Sequence, residues 1–560
     1  MGSILDARII GLMAALKTEI SDYCDIQTVD GKNCLVTSDG TYGSIIHFNG
    51  VKSVISNDQF LSMAQAIADA FEPYLRKLGY NLQVLFVRED DSLPTLKRCA
   101  DAQRESARSI GLSMGDLIDE SVDTLRRYTY QEDCYLVLWT SHSLLNSAEM
   151  RKEAADRNRD KIDNDLPSFA DAQNPFVVSD FLHSRHESYV SSIFNALNSP
   201  SFNCDVRILD VNEALRAIRK SVYPRLTSDD WEAVYPGQTH ALMWKNHQNT
   251  EDMSEGLYRP LNEQIMSRSA EIGSNDNPVI TGTNRVRIGN RIFSPLVIEV
   301  PPKKPDVFQT LFDILNNTHT RYRGVVRACP YAISFMIKGD GMSSLGWNSI
   351  LSTLLQALDS RNKSLKMAVE RLSILKSDGQ AIVKMAMTAM TWIDEDDNVA
   401  EELPLREKGL NDALQQWGHP QVGERTGDPM EVVQSTALAL STNSVGTPAA
   451  APLYDAVALL PLSRPASPFS IPSTYFRSLD GKALAYHRYS SEQSTWVTLI
   501  SGRPGSGKSV LLNNINLETC LIPGQKELPY ICIIDIGTSS SGAIDLIRES
   551  LPPDQRHLVV

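Results

Sequence analysis

The sequence predicts an α+β fold for residues 1–440, followed by the beginning of an α/β domain in residues 475–560. In the first region, short β-branched runs such as Cys34–Thr37 and Cys134–Trp139 alternate irregularly with helical stretches such as 58–78. In the second region an apolar run, a glycine-rich loop and a helical pattern follow one another. This is the order of strand, loop and helix in an α/β unit.

Two stretches of changed composition divide the chain. Residues 222–284 are rich in Asn, Ser, Gly and Pro with weak periodicity, which is typical of an extended connection inside a large N-terminal region. Six prolines lie between Pro448 and Pro472, and they predict a linker. The predicted division is an N-terminal α+β subdomain (1–221), a second, mixed and largely helical subdomain (222–440), a Pro-rich linker (441–474) and the incomplete α/β domain (475–560).

Charge and cysteine content restrict the function classes. The formal net charge is −14 and the isoelectric point is near 5.3, which argues against a surface built mainly to neutralise nucleic-acid phosphates. The eight cysteines form no C-x-x-C pair, so neither a zinc site nor a disulfide scaffold is predicted. Reduced, mostly buried thiols favour a cytoplasmic protein.

The N-terminal segment from Ile4 to Ile20 has apolar residues at helical spacing and predicts an amphipathic helix. Docking on the domain core is favoured over a membrane-surface or partner helix, because the apolar stripe has no basic face. Asp6, Arg8 and Lys17 interrupt the segment, and the chain has no run of 18 apolar residues. Neither a signal peptide nor a membrane span is therefore predicted, and any membrane role requires a partner.

The glycine-rich loop has the sequence SGRPGSGKSV at positions 501–510. From Gly502 to Ser509 it fits the pattern G-x-x-x-x-G-K-[ST] of the phosphate-binding P-loop. The apolar run Trp496–Ile500 before it suits a buried parallel strand, and residues 511–515 after it carry apolar side chains at helical spacing. A glycine-rich turn without a ligand is the less favoured alternative.

The residue types of the loop suggest a role for each position with Mg-ATP as the ligand. Gly505 and Gly507 permit the backbone torsions that let the amides of about residues 505–509 converge on phosphate oxygens at a helix N-terminus. Lys508 is predicted to act catalytically by placing its charge on the β- and γ-phosphates, and Ser509 is predicted to hold Mg²⁺. The predicted nucleotide-binding residues are Gly502, Gly505, Ser506, Gly507, Lys508, Ser509, Val510 and Asp535.

Asp535 ends a second apolar run, which begins at Tyr530 and predicts a strand. The aspartate lies 27 residues after Lys508, which leaves room for one helix and a return strand. The carboxyl ends of parallel strands face the ligand crevice of an α/β sheet, so Asp535 is expected near the nucleotide.

Two other groups of residues could bind metals. Asp180, His183 and His186 are spaced three apart on a predicted helix at 178–198, but an exposed polar helix face is the favoured interpretation. The acidic run Asp394–Asp397 could attract Ca²⁺, but it lacks the order and the glycine of an EF-hand, so a solvated loop is favoured.

Residues 460–547 resemble the entry to the motor domain of type IV secretion and conjugation ATPases. The likeness rests on the predicted hairpin around Asp480-Gly481, on the P-loop and on the run Asp535-Ile536-Gly537-x-Ser539. It points to the type IVB branch, the DotO/IcmB- and TraU-like proteins. Over residues 1–440 only the placement of a long region before the motor is similar. The resemblance implies a RecA-like α/β domain.

The resemblance also implies an activity and partners. It predicts a cytoplasmic ATPase that energises a secretion or conjugation machine as a hexamer or a hexamer of dimers. Its expected partners are inner-membrane secretion-complex proteins and a second secretion ATPase, which would place it peripherally on the bacterial inner membrane. Because a Walker B strand, a catalytic glutamate and an arginine finger find no place in the 51 residues after Ser509, the sequence is expected to be the front half of a longer protein, inactive alone.

Two alternatives remain open. The first is a non-hydrolytic scaffold that binds nucleotide only to fix a conformation. The second is a DNA-translocating motor of the FtsK/HerA type, against which the acidic composition weighs; whether the chain binds DNA is left open.

Overall fold

The computed structural model describes the greater part of the chain. The described residues are 20–53, 55–153, 155, 179–235, 260–266, 279–280, 284–302, 306–317, 319–322, 325–342, 360–395, 398–423 and 428–560. Except for Ile20, the predicted N-terminal helix lies outside them, as does most of the predicted connection 222–284.

The strands carry numbers in chain order. They are β1 (Ile26–Asp30), β2 (Cys34–Thr37), β3 (Tyr42–Val51), β4 (Tyr80–Glu89), β5 (Gln131–Thr140), β6 (Cys204–Ile208), β7 (Val279–Ile280), β8 (Val286–Ile288), β9 (Arg291–Val300), β10 (His319–Tyr322), β11 (Val325–Ala328), β12 (Tyr331–Lys338), β13 (Ile382–Asp394), β14 (Gln421–Gly423), β15 (Ala449–Pro452), β16 (Thr474–Arg477) and β17 (Ala483–Tyr486).

The α-helices are numbered in the same way. They are α1 (Asn57–Leu75), α2 (Leu93–Ile110), α3 (Gly115–Tyr128), α4 (Asp180–Leu197), α5 (Val211–Val222), α6 (Leu261–Ile265), α7 (Phe308–Asn317), α8 (Ser360–Ser377), α9 (Val399–Gln416), α10 (Pro429–Thr436), α11 (Leu453–Ala458), α12 (Lys508–Thr519) and α13 (Ser541–Ser550). None of these helices combines the length and apolar character of a membrane-crossing segment.

The chain forms two compact units that differ from the predicted division. The first unit contains the residues up to Val87 together with Asp133–Arg464. The second contains Arg88–Glu132 together with Pro465–Val560. The mixture of helices and sheet agrees with the predicted α+β class. The units are discontinuous in sequence because α2 and α3 are inserted between β4 and β5.

The first unit is organised by a large sheet with the strand order β1-β2-β3-β5-β4-β12-β13-β9-β8-β7, to which β6, β14 and β15 add through β3, β9 and β13. The long strand β13 pairs antiparallel with β12, β9 and β15. All but two of its residues are buried. Strand β13 is therefore buried on both faces, as expected for a sheet that is covered on both sides.

The segment predicted as a Pro-rich linker is mostly part of the first unit. Residues 449–452 form β15, which pairs with Ile382–Met385 of β13, and Leu453 and Leu460 are buried. Pro452 lies on a strand that has a neighbour on one side, where a missing N–H is tolerated. The linker prediction was based on the number of prolines and did not take account of the apolar residues between them.

The described start of the predicted connection 222–284 is fixed to α5 and α6. Arg216 donates from Nε to the Trp231 carbonyl at 2.8 Å. The Gln264 side chain bonds both the amide and the carbonyl of Val234, at 2.8 and 2.7 Å. Residues 231–235 lack helix and strand, as predicted, but side-chain hydrogen bonds hold them in place.

The second unit has its own apolar core. Six of its fully buried residues come from the inserted segment and four from the C-terminal segment: Ala100, Ala107, Ile110, Leu112, Met114 and Ile118, and Cys520, Leu521, Ile547 and Leu551. Hydrogen bonds join the same segments, from Ser106 Oγ to the Ile522 carbonyl at 2.8 Å and from the Ser113 amide to the Ser550 carbonyl at 2.9 Å. The inserted helices thus belong to the unit that contains the glycine-rich loop.

The predicted Asp480-Gly481 hairpin is confirmed. Strands β16 and β17 pair antiparallel, and Gly481 adopts φ +98°, which favours glycine. Beside the turn, the Gly481 carbonyl accepts a hydrogen bond from the Tyr130 amide at 3.1 Å. Lys482 Nζ lies 2.8 Å from Glu132 Oε1, with side-chain exposures of 13% and 3%. The hairpin is therefore joined to the inserted segment by a buried ion pair.

Replacing Lys482 by Met is expected to lower the free energy of unfolding of the second unit by about 3 kcal/mol, because the buried Glu132 carboxylate loses the Lys482 ammonium group. Urea unfolding measures the loss, with the exposed Lys526→Met as the matched control. The double replacement Glu132→Met with Lys482→Met is expected to cost less than Lys482→Met alone. A loss below about 1 kcal/mol for Lys482→Met, typical of exposed ion pairs, would contradict a buried pair.

Candidate functional site

The glycine-rich loop ends where α12 begins. Gly505 and Gly507 have φ values of +77° and +85°, and Gly507 directly precedes the first helical residue. Both lie in the left-handed region, where a side chain costs about 1–2 kcal/mol. At Gly502 a Cβ would approach Ser506 Oγ to 2.6 Å. The loop conformation therefore favours glycine at positions 505 and 507, whereas a side chain at 502 would require the Ser506 hydroxyl to move.

Four consecutive backbone amides are available at the start of α12. Within the part of the chain that the structure describes, the amides of Gly507, Lys508, Ser509 and Val510 donate to no acceptor. This is the ordinary condition of a helix N-terminus, which attracts anions through its unpaired donors and its dipole. The amide of Ser506 differs from the prediction, since it closes the loop by donating to the Arg503 carbonyl at 3.2 Å.

Lys508 lies across the loop. Its Nζ donates to the carbonyls of Gly502 and Arg503, each at 2.9 Å. Ser509 and Val510 are exposed at the same end of the helix. The predicted P-loop residues thus lie together, with the Lys508 ammonium group bound to two loop carbonyls and the four unpaired amides at the start of the helix.

The predicted strands on either side of α12 are not formed. Neither 496–500 nor 530–535 makes ladder hydrogen bonds with another described segment. Most of their side chains are exposed, with Leu499 at 91% and Ile534 at 93%, whereas Ile531 is half-buried against the core of the second unit. Apolar β-branched composition indicates a strand only when a neighbouring strand completes the hydrogen bonding, and none does so here.

The far end of α12 anchors the helix. Ile515 is buried, whereas the predicted apolar residues Leu511 and Leu512 are 37% and 40% exposed. Glu518 is held by Thr474 Oγ1 at 2.8 Å and Asn514 Nδ2 at 2.7 Å, and burial raises the pKa of its carboxyl group. The loop end of the helix is exposed, and the opposite end is packed.

Asp535 is occupied by its own turn. Its Oδ1 accepts from the Gly537 amide at 3.0 Å, and its Oδ2 accepts from Ser539 Oγ at 2.8 Å and from the Ser540 amide and hydroxyl at 3.0 and 2.9 Å. The Gly537 amide, followed by the two serines, lowers the pKa of Asp535 to about 2. The sequence predicted Asp535 at the nucleotide; the structure places it as the acceptor of the turn before α13.

Asn513 is the residue that sequence reasoning missed. Its Nδ2 donates to the Ser539 carbonyl at 2.7 Å, which joins α12 to the Asp535 turn. Nothing in the local pattern singles out this asparagine, because its partner lies 26 residues later in the chain.

The predicted cluster on α4 does not form a metal site. Asp180 is exposed at the first position of the helix. His183 Nδ1 lies 2.8 Å from Asp30 Oδ2, whereas His186 is buried with Nε2 2.9 Å from Ser44 Oγ and Nδ1 2.8 Å from Thr140 Oγ1. The described residues contain no grouping of His, Cys, Asp and Glu suited to a metal ion.

The two histidines have opposite electrostatic surroundings. Burial lowers the pKa of His186 to about 3, and neighbouring His183 adds to the shift. At His183 partial burial lowers the pKa, but Asp30 and Glu187 outweigh it and hold the pKa above its ordinary value. The favoured interpretation of an exposed helix face applies to Asp180 alone.

His186 is expected to make the first unit sensitive to acid. The folded state keeps the imidazole ring of His186 neutral. The contribution of this group to the free energy of unfolding is therefore fully present above the unfolded pKa of about 6.5, and it is lost as the pH falls toward the folded pKa of about 3. Between pH 7 and pH 5 the wild type should lose about 2 kcal/mol more unfolding free energy than His186→Gln. Urea titrations at both pH values measure this difference. Equal losses would contradict a neutral buried ring.

The acidic run beginning at Asp394 is only partly described. Asp394 binds Arg291 at 3.1 Å and Arg225 at 2.8 Å, and Glu395 lies 3.2 Å from Arg287. Residues 396 and 397 lie outside the described residues. The first two carboxylates of the run are therefore paired with arginines, whereas a solvated loop was predicted.

No protein-family model matches the chain, and no curated protein matches it.

Proposed function

We propose that the chain binds Mg-ATP at the loop 502–510 and belongs to a RecA-like motor ATPase of a type IV secretion or conjugation machine. The observation that carries the nucleotide site is the run of four amides at the start of α12 that have no acceptor among the described residues, next to a loop whose Gly502 and Arg503 carbonyls bind the Lys508 ammonium group. The RecA-like architecture and the secretion role rest on the order of the motifs and on the Asp535-Ile536-Gly537-x-Ser539 run.

In the proposed complex, phosphate oxygens accept hydrogen bonds from the amides of Gly507, Lys508, Ser509 and Val510. The Lys508 ammonium group turns from the carbonyls of Gly502 and Arg503 toward the β- and γ-phosphates, where its charge is stabilising. Ser509, which is exposed, would hold Mg²⁺ through its hydroxyl group. The bound metal would neutralise developing charge on the transferring phosphoryl group.

Phosphate positioning is only one requirement of hydrolysis. Turnover also needs a group that orients the attacking water and a cation that meets charge on the γ-phosphoryl group. We assign neither role to a residue of this chain. We therefore propose that turnover belongs to an assembled hexamer, or hexamer of dimers, docked to inner-membrane secretion proteins and to a second secretion ATPase on the cytoplasmic face of the membrane.

A titration of the chain with fluorescent mant-ATP tests the nucleotide site. We expect saturable binding of one nucleotide per chain, strengthened by Mg²⁺, and turnover below about 1 s⁻¹ in a phosphate-release assay. Failure to bind at about 1 mM mant-ATP would refute the proposal. Binding that remains without turnover in every assembled state would favour the non-hydrolytic scaffold, which uses the same loop.

A further inference from the structure

The first two turns of α12 have little packing to hold them. Val510 is 72% exposed, and Leu511 and Leu512 are also exposed. The buried residues of the helix, Ile515, Asn516 and Thr519, all lie in its C-terminal half. The unpaired amides thus project from the poorly packed end, so another restraint is needed to hold them in a fixed direction.

That restraint is the contact between Asn513 and the turn of residues 535–540. The Asn513 Nδ2 to Ser539 carbonyl distance of 2.7 Å is that of a good hydrogen bond. Asn513 lies in the second turn of the helix, just before the packed half begins. The bond therefore fixes the helix close to its exposed end.

The position of the Ser539 carbonyl is set by Asp535. Gly537, Ser539 and Ser540 all donate to this one carboxylate, so the backbone between them has little freedom. Both carboxylate oxygens are used by the turn. A change that displaced the three donors of Oδ2 would release the Ser539 carbonyl from its place.

We propose that Asp535 is a positioning residue of the nucleotide site, acting through Ser539 and Asn513 to hold the first turns of α12 in place. The inference rests on the proposed function, since it takes the α12 amides as the phosphate site. It replaces the sequence-based prediction that Asp535 itself contacts the nucleotide.

The test compares mant-ATP affinity in the full chain for Asp535→Asn, Asn513→Ala and the double variant, each with Mg²⁺ and with EDTA. Asn514→Ala is the matched control, because this neighbouring side chain bonds Glu518 of its own helix. We expect each single variant to bind mant-ATP about tenfold more weakly than wild type. The double variant should also bind about tenfold more weakly, because both changes break the same connection between the turn and α12. The Mg²⁺ dependence and the Asn514→Ala affinity should stay at wild-type values.

Three results would overturn the inference. A loss for Asp535→Asn that appears only with Mg²⁺ would make Asp535 a metal ligand. A loss of about 100-fold in the double variant would show that the two residues act independently. Unchanged affinity in Asn513→Ala would show that the connection does not position the amides.

Calorimetry will show whether Asp535→Asn is folded. If it is not, Asn513→Asp sets a carboxylate against the Ser539 carbonyl, and the same tenfold loss of affinity is expected for this variant. Failure of the proposed function is distinct, because wild type then binds no mant-ATP.

Discussion

Lys508→Ala is expected to weaken mant-ATP binding about 100-fold while leaving both unfolding transitions of the chain in place. A charge-assisted hydrogen bond to phosphate is worth roughly 1.5–3 kcal/mol, and the lysine meets two phosphates, so a loss near 2.7 kcal/mol is the central expectation. Among the described residues the ammonium group bonds two carbonyls, both in an exposed loop, so its removal leaves no buried group of this loop unpaired.

The matched control for this change is Lys526→Ala. Lys526 is an exposed lysine of the same unit, so its loss alters the net charge equally without touching the loop. Its affinity for mant-ATP should remain within about twofold of wild type. Equal affinities for Lys508→Ala and wild type would show that the lysine does not contact phosphate.

Ile110→Asp is expected to unfold the second unit and abolish mant-ATP binding, although Ile110 is about 400 residues from the loop in sequence. Ile110 belongs to the core that α2 and α3 share with the ends of α12 and α13. An unpaired carboxylate in that core costs several kcal/mol, a large part of the stability of a small unit. The transition of the first unit should persist in calorimetry.

Ser109→Asp supplies the control at the neighbouring, exposed position of α2. It introduces the same charge outside the core, so binding and both transitions should stay close to wild type. If Ile110→Asp bound mant-ATP normally, the inserted helices would not be part of the nucleotide-binding unit.

Local patterns predicted the parts of the fold that depend on neighbouring residues. Strand β2 has the predicted bounds Cys34–Thr37. The Asp480-Gly481 hairpin could be predicted because its turn requires a positive φ, which glycine adopts readily. The preference for glycine at positions 505 and 507 likewise depends on the local backbone conformation, which has positive φ there.

Long-range packing could not be predicted in this way. The amphipathic pattern of α2 and α3 shows that each helix covers a core, but it cannot show that this core contains Cys520 and Leu521. The same limit applies to Asn513, whose role depends on a carbonyl 26 residues away, and to residues 449–452, whose strand exists because β13 lies beside it.

The discontinuous second unit has a consequence for synthesis in the cell. Its first segment ends at Glu132 and its second begins at Pro465, so about 330 residues are translated between them. At ribosomal rates of roughly 5–20 residues per second, the rest of the core is synthesised about 20–70 s after α2 and α3. During that interval the apolar faces around Ile110 and Ile118 stay uncovered. The nascent chain thus exposes the apolar surface of this core until translation has passed Leu551.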